Sequence, residues 1–345
     1  MAGKTDAIVA LSHLGLPGEI AVAEAIPEID LILGGHEHEN FNIRRGPGFT
    51  PIVKADSNAK SVVIATLTLS APGARPVVSA RVERMDEHIQ PQPAMETEIR
   101  RWTSAAFAAF RRDGFDPEAI VAVVPEALDG RDSTVRVRAG NLTDLITAAI
   151  AREAVDADVA ILNGGSVRID DVLMAGPITE YDIIRILPFG GKVLKATLRG
   201  SLLADVLAAG QLNQGIGGYL HPRGATRRGE AWLVNGQPLD PNRRYVVAVP
   251  EYMLTGGEAR MNFLTRTNPL VENVRELADI RQAVIAELKA RYPARSATYN
   301  SPLATHNLGA ATRDLQLATR NLQRATFTLV PTRPSAENRL RAPAR

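Results

Sequence analysis

In Leu31-Ile32-Leu33-Gly34-Gly35-His36-Glu37-His38 a short apolar run breaks at two glycines and delivers two histidines. A third, His13, closes an earlier run, Ala7-Ile8-Val9-Ala10-Leu11-Ser12. A buried strand with a ligand at its C-terminal tip is how α/β metalloenzymes place imidazoles round a metal. Between the runs, residues 18–26 read as a short helix, with Gly15 and Pro17 before it and Pro27 at its end. Strand, helix and strand at this spacing predict a parallel sheet and an α/β fold. His13, His36 and His38 are therefore candidate metal ligands, and satisfied loop histidines are the alternative.

Working outward, 52–55 and 61–69 predict two more strands. The second alternates apolar and polar residues, which suits a half-exposed antiparallel part. Pro76, Pro91 and Pro93 weaken the pattern, and Glu96 to Arg112 reads as an amphipathic linker helix. From Phe115 a second unit is expected, with strands over 119–124, 157–162, 192–198, 230–234 and 244–250. Helices are predicted over 141–154, 178–185, 200–209 and 274–291. The expected organisation is a partial α/β sandwich over 1–88, a linker helix over 89–112, a mixed α/β domain over 113–293 and a tail over 294–345.

Composition narrows the classes. The chain has 345 residues and no cysteine, which excludes disulfides, thiolate metal ligands and a cysteine nucleophile. No apolar run approaches the roughly 18–20 residues of a membrane span, and no secretory signal stands at the start. Eight arginines after residue 293, against Asp314 and Glu337, give the tail +6; the formal total of +2 leaves −4 for the rest. A basic tail on a mildly acidic body is not the footprint of a nucleic-acid-binding domain, so no nucleic-acid polymer is expected as partner. The tail holds four heptads, with Leu308, Leu315, Leu322 and Leu329 seven apart. That repeat suits either a tandem duplication or self-association through 303–330.

The second half carries three Gly-containing motifs: Ala160-Ile-Leu-Asn163-Gly-Gly-Ser-Val-Arg168, Leu187-Pro-Phe189-Gly190 and Thr255-Gly-Gly-Glu258. By residue type alone Phe189 suits core packing or a stacking face. The glycine pairs suit tight turns, and neither forms a dinucleotide GxGxxG. Arg136 and Arg138 alternate with valines as on a strand, where one would be a solvated face. Tyr252 suits a helix-start anchor.

Together with Asp6-Ala-Ile-Val-Ala-Leu-Ser-His13-Leu-Gly and Ile29-Asp-Leu-Ile-Leu-Gly-Gly-His36-Glu-His38, these motifs resemble the 5′-nucleotidase family over roughly residues 5–292. The first two resemble the closing metal motifs of its calcineurin-like metallophosphatase domain. The third resembles its Asn-Gly-Gly-Gly-Ile-Arg signature. The resemblance implies a partial metallophosphatase α/β sandwich followed by a nucleotide-binding domain of the 5′-nucleotidase C-terminal type. It implies two divalent ions (Zn, Mn or Co), with His13 and His36 on one and His38 at the other. Phe189 and Tyr252 would sandwich a base, Asn163 would contact it, Arg136 and Arg168 would face anionic groups, and Glu258 would grip ribose hydroxyls. Glu258 is one methylene longer than the usual Asp.

The family's Asp-x-His pair, bridging Asp and Asn-His dyad have no counterpart after Met1. No catalytic residue is therefore expected in this chain; they are expected upstream, in a truncated phosphomonoester hydrolase acting on nucleoside 5′-monophosphates. The alternatives are a catalytically silent nucleoside-binding half-enzyme, or a cyclic-nucleotide phosphodiesterase or nucleotide-sugar hydrolase on the same scaffold. Family resemblance implies a periplasmic or extracellular location.

Overall fold

The computed structural model describes residues 5–71, 73–86 and 88–293. The heptads at 303–330 lie outside them. The chain divides into two compact units at Ala105/Ala106. Among the described residues no helix is long and apolar enough to cross a membrane.

The first unit runs β1 (Val9–Leu11), α1 (Leu16–Ala25), β2 (Leu31–Gly34), β3 (Phe41–Arg45), β4 (Thr50–Lys54), β5 (Ser61–Thr68) and β6 (Val77–Arg84). Four strands form one sheet in the order β1-β2-β4-β3, parallel except where β3 meets β4. The period of two assigns each strand's side chains to opposite faces. Ile32 and Ile52 pack with α1, whereas Leu31 and Val53 pack with Val78 of the β5–β6 hairpin. That hairpin is antiparallel, as the alternation in 61–69 implied. Helix α2 (Pro93–Arg112) carries the chain into the second unit.

The second unit opens with β7 (Ile120–Val124), β8 (Leu128–Asp129), the one-turn α3 (Asp132–Val135), α4 (Asn141–Glu153) and β9 (Val159–Asn163). Next come β10 (Val172–Leu173), β11 (Gly176–Thr179), α5 (Glu180–Ile186), β12 (Lys192–Arg199) and α6 (Gly200–Leu212). The last elements are β13 (Leu220–Arg223), β14 (Ala225–Arg228), β15 (Ala231–Val234), β16 (Gln237–Pro238), β17 (Arg244–Pro250), β18 (Val271–Asp279) and α7 (Ile280–Arg291).

A five-stranded mixed sheet, ordered β13-β9-β17-β12-β18, is its spine. Ala160 and Leu162 face a core built with α4, α5 and α7; Val159 and Ile161 face the other, built with α6. The near-unbroken apolar run of β9 follows from cover on both faces.

Two expectations are corrected. Residues 274–279 are strand, not helix. Register shifts against β12 at Lys192/Leu194 and Lys195/Thr197 break the alternation of β18. Its apolar Val271, Val274 and Leu277 therefore recur every three residues and mimic a helical stripe. The helix starts where Asp279 caps it, accepting from the Arg281 N–H at 2.8 Å. Residues 132–138 are not a strand either: the chain turns through α3, so Arg136 and Arg138 lie on no sheet face.

Candidate functional site

The histidines stand where parallel strands end in the first unit. Leu11 of β1 pairs with Leu33 of β2, so His13 and His36 leave the sheet side by side. Their rings meet edge to face with centroids 5.1 Å apart. His38 follows on a left-handed turn, φ 62°, its carbonyl accepting from the Ser57 N–H at 3.1 Å. Neighbouring imidazoles at strand tips are a donor set that fits a divalent ion of the Zn, Mn or Co class.

Two carboxylates of this unit, Glu19 and Glu37, are committed elsewhere. Lys54 of β4, its side chain fully buried, lies 2.8 Å from Glu19 of α1 and also bonds Glu37. Glu19 accepts from the Ser12 hydroxyl, and Glu37 from the Leu16 N–H that opens α1. Lys54 Nζ also donates to the Leu14 carbonyl at 3.2 Å. Burial works to lower the ammonium pKa, but bonds to two carboxylates outweigh it and hold the group above its ordinary value. Burial works to raise Glu37, and Lys54 with the Leu16 N–H holds it below the usual carboxylate value. Glu19 and Glu37 thus clasp an internal cation.

A cleft of about 580 Å³ opens at one end of the five-stranded sheet in the second unit. Asn163 ends β9 and Pro250 ends β17, two parallel strands, while Gly190 and Gly191 lead into β12. Ligand sites at strand ends are the general rule for such sheets. Five of the six predicted substrate residues line this cleft: Asn163, Arg168, Phe189, Tyr252 and Glu258. Phe189 is 74% exposed and Tyr252 50%, so both rings keep faces open to a ligand. The Tyr252 hydroxyl donates to the Gly257 carbonyl at 2.7 Å, fixing that ring, and the Arg168 guanidinium lies 5.5 Å over the Phe189 ring.

The floor is a chain of hydrogen bonds. Ser166 Oγ donates to Asn163 Oδ1 at 2.6 Å, and Asn163 Nδ2 donates to Glu258 Oε2 at 2.7 Å. The other oxygen, Glu258 Oε1, accepts from the Ala259 N–H at 2.9 Å. Gly218 allows this closeness: a Cβ there would sit 2.4 Å from Asn213 Nδ2 and 2.8 Å from Glu258 Oε1. Exposed ring faces, a guanidinium and a buried polar floor suit a planar ligand that carries polar edges and an anionic group.

Arg136 is not among the lining residues. It ends α3, paired with Asp132 at 2.6 Å, and its Nε is buried without a hydrogen-bond partner among the described residues. Below it, buried His221 of β13 bonds through Nε2 to the Val135 carbonyl at 2.7 Å. Desolvation pushes this imidazole below its ordinary pKa, against the smaller opposing effect of the Val135 carbonyl. Asp129, ahead of α3, accepts from Arg131 and Thr134, which holds its carboxyl well below the usual range.

Ser166, Gly217, Glu251 and Ile280 also line the cleft, without having been singled out from the sequence. Ser166 lies within the Asn163-to-Arg168 motif, three residues after Asn163. Ile280 was hidden by the misplaced helix start.

Residues 120–266 match the family model described as 5′-nucleotidase, C-terminal domain. The trifunctional nucleotide phosphoesterase protein YfkN of Bacillus subtilis (strain 168) is 27% identical over 229 residues, covering 64% of this chain and 15% of that protein. Protein UshA of Yersinia enterocolitica is 27% identical over 308 residues, covering 74% of this chain and 54% of that protein. Among solved structures, a 5′-nucleotidase precursor from Thermus thermophilus aligns at 19% identity with a TM-score of 0.67, covering 85% of this chain and 62% of that one. This last likeness is one of fold. The chain spans about half the length of the UshA relative and a smaller share of YfkN.

Proposed function

Residues 120–266 form a 5′-nucleotidase C-terminal domain, and from that premise we propose that the cleft binds the nucleoside part of a nucleotide. The reaction it serves is phosphomonoester hydrolysis: a nucleoside 5′-monophosphate and water give a nucleoside and phosphate. The observation that carries this reading is the convergence of Phe189, Tyr252, Asn163, Arg168 and Glu258 on one cleft. Phe189 and Tyr252 hold the base by stacking, which is worth roughly 1–3 kcal/mol per base. Arg168 draws in the anionic end with a planar fork suited to phosphate oxygens. Glu258 and the polar floor orient the sugar and base edges.

His13 and His36 are the residues that would hold a divalent ion, with His38 at a second. Such an ion supplies Lewis acidity and a bound water acidic enough to act near neutral pH. Imidazole nitrogens are what the chain itself contributes there.

The clasp of Glu19 and Glu37 on Lys54 favours a second reading, a nucleoside binder with little or no hydrolytic activity. Glu19 and Glu37 are spent on Lys54, so these two carboxylates do not offset the repulsion between two dications held by imidazoles. The test is phosphate release from AMP by the purified chain with added Mn²⁺ or Zn²⁺ and with EDTA, beside a titration with adenosine. The expected result is adenosine binding with weak or no phosphate release. Robust, EDTA-sensitive release would overturn the silent reading and establish the hydrolase.

A further inference from the structure

The direction of the hydrogen bonds in the cleft floor has a consequence for what the cleft selects. A carboxylate only accepts, so Glu258 Oε2 requires Asn163 to present its NH₂. That orientation turns Asn163 Oδ1 toward Ser166, whose single O–H is spent on it at 2.6 Å. The Ser166 oxygen then meets the cleft with lone pairs alone. Asn163 is 3% exposed and Glu258 8%, whereas Ser166 is half-buried, so the serine is the accessible end of the relay.

We infer that Ser166 is a specificity-determining residue, an acceptor-only group that selects ligands presenting an N–H or O–H donor. The inference rests on the nucleoside reading of the same cleft. A donor could come from an exocyclic amine on the base or from the sugar hydroxyls. A ligand lacking that donor leaves the oxygen without its bond in a partly dry site, which is where hydrogen bonds discriminate best.

The test is calorimetric titration of the full chain with adenosine, purine riboside (no amine) and 2′,3′-dideoxyadenosine (no diol). One analogue is expected to bind roughly three- to tenfold more weakly than adenosine, the range of one neutral hydrogen bond. Weakening of purine riboside places the donor on the base; weakening of the dideoxy analogue places it on the sugar. In Ser166→Ala the serine's share of this discrimination is expected to go, the ratio to adenosine dropping roughly three- to tenfold from its wild-type value. Glu258→Gln, whose amide can turn either way, is expected to blunt it with the serine still present. Equal binding of all three by the wild type, or discrimination intact in Ser166→Ala, would overturn the inference while leaving the nucleoside reading in place. Failure of adenosine itself to bind would overturn both.

Discussion

Phe189 follows Pro188 on a tight turn and leaves most of its ring in solvent, an uncommon position for so large an apolar surface. From sequence, core packing and ligand stacking were equally open for it; exposure at the mouth of a cleft favours stacking. Phe189→Ala is expected to weaken adenosine binding about 5- to 150-fold, the equivalent of roughly 1–3 kcal/mol of stacking. Calorimetry checks it, with thermal stability expected to change little. His221 offers a different experiment. Its folded-state pKa lies below the ordinary value, so between the two the unfolded chain binds the extra proton. The stability this contributes is full above about pH 6.5 and is lost as pH falls through the folded value. Between pH 7.5 and 5.5, His221→Gln is therefore expected to lose less thermal stability than the wild type. An identical loss in both proteins would contradict the assignment.

Among the elements, the tips of β1, β2 and β4 converge on one buried cation. Lys54→Met would leave Glu19, wholly buried, without its partner. Removing one member of a buried ion pair typically costs about 3–5 kcal/mol. Chemical denaturation should show that loss, with amide exchange accelerating first over residues 9–54. Much of the element pattern was legible because strands covered on both faces, such as β9, are nearly pure apolar runs, and because Pro27 and Pro17 punctuate α1. The bulged β18 was not, since its irregular register spaces Val271, Val274 and Leu277 like a helix. Nor was the α3 turn: the alternation of Val135, Arg136, Val137 and Arg138 is that of a strand, whereas Asp129 and its hydrogen bonds to Arg131 and Thr134 close a turn there. The buried clasp of Lys54 had no sequence signal, because Glu19, Glu37 and Lys54 meet only through tertiary structure.

At the scale of the molecule, metal-ligand types and a ligand cleft belong to separate units, and the motifs for each were readable because each is local. Asn163 to Arg168, Leu187 to Gly190 and Thr255 to Glu258 are short segments at sheet ends, so their residue types survive as patterns. The hydrogen-bond direction that ties Ser166 to Glu258 spans 92 positions and could not be read from any of them. The central claim is that this cleft holds a nucleoside. An NMR titration of the isotope-labelled chain with adenosine tests it most directly. Saturable shifts should concentrate at residues 163–168, 187–191 and 250–258, and should appear equally with EDTA or Mg²⁺ present. No saturable shift in those segments, or shifts centred elsewhere, would contradict the account.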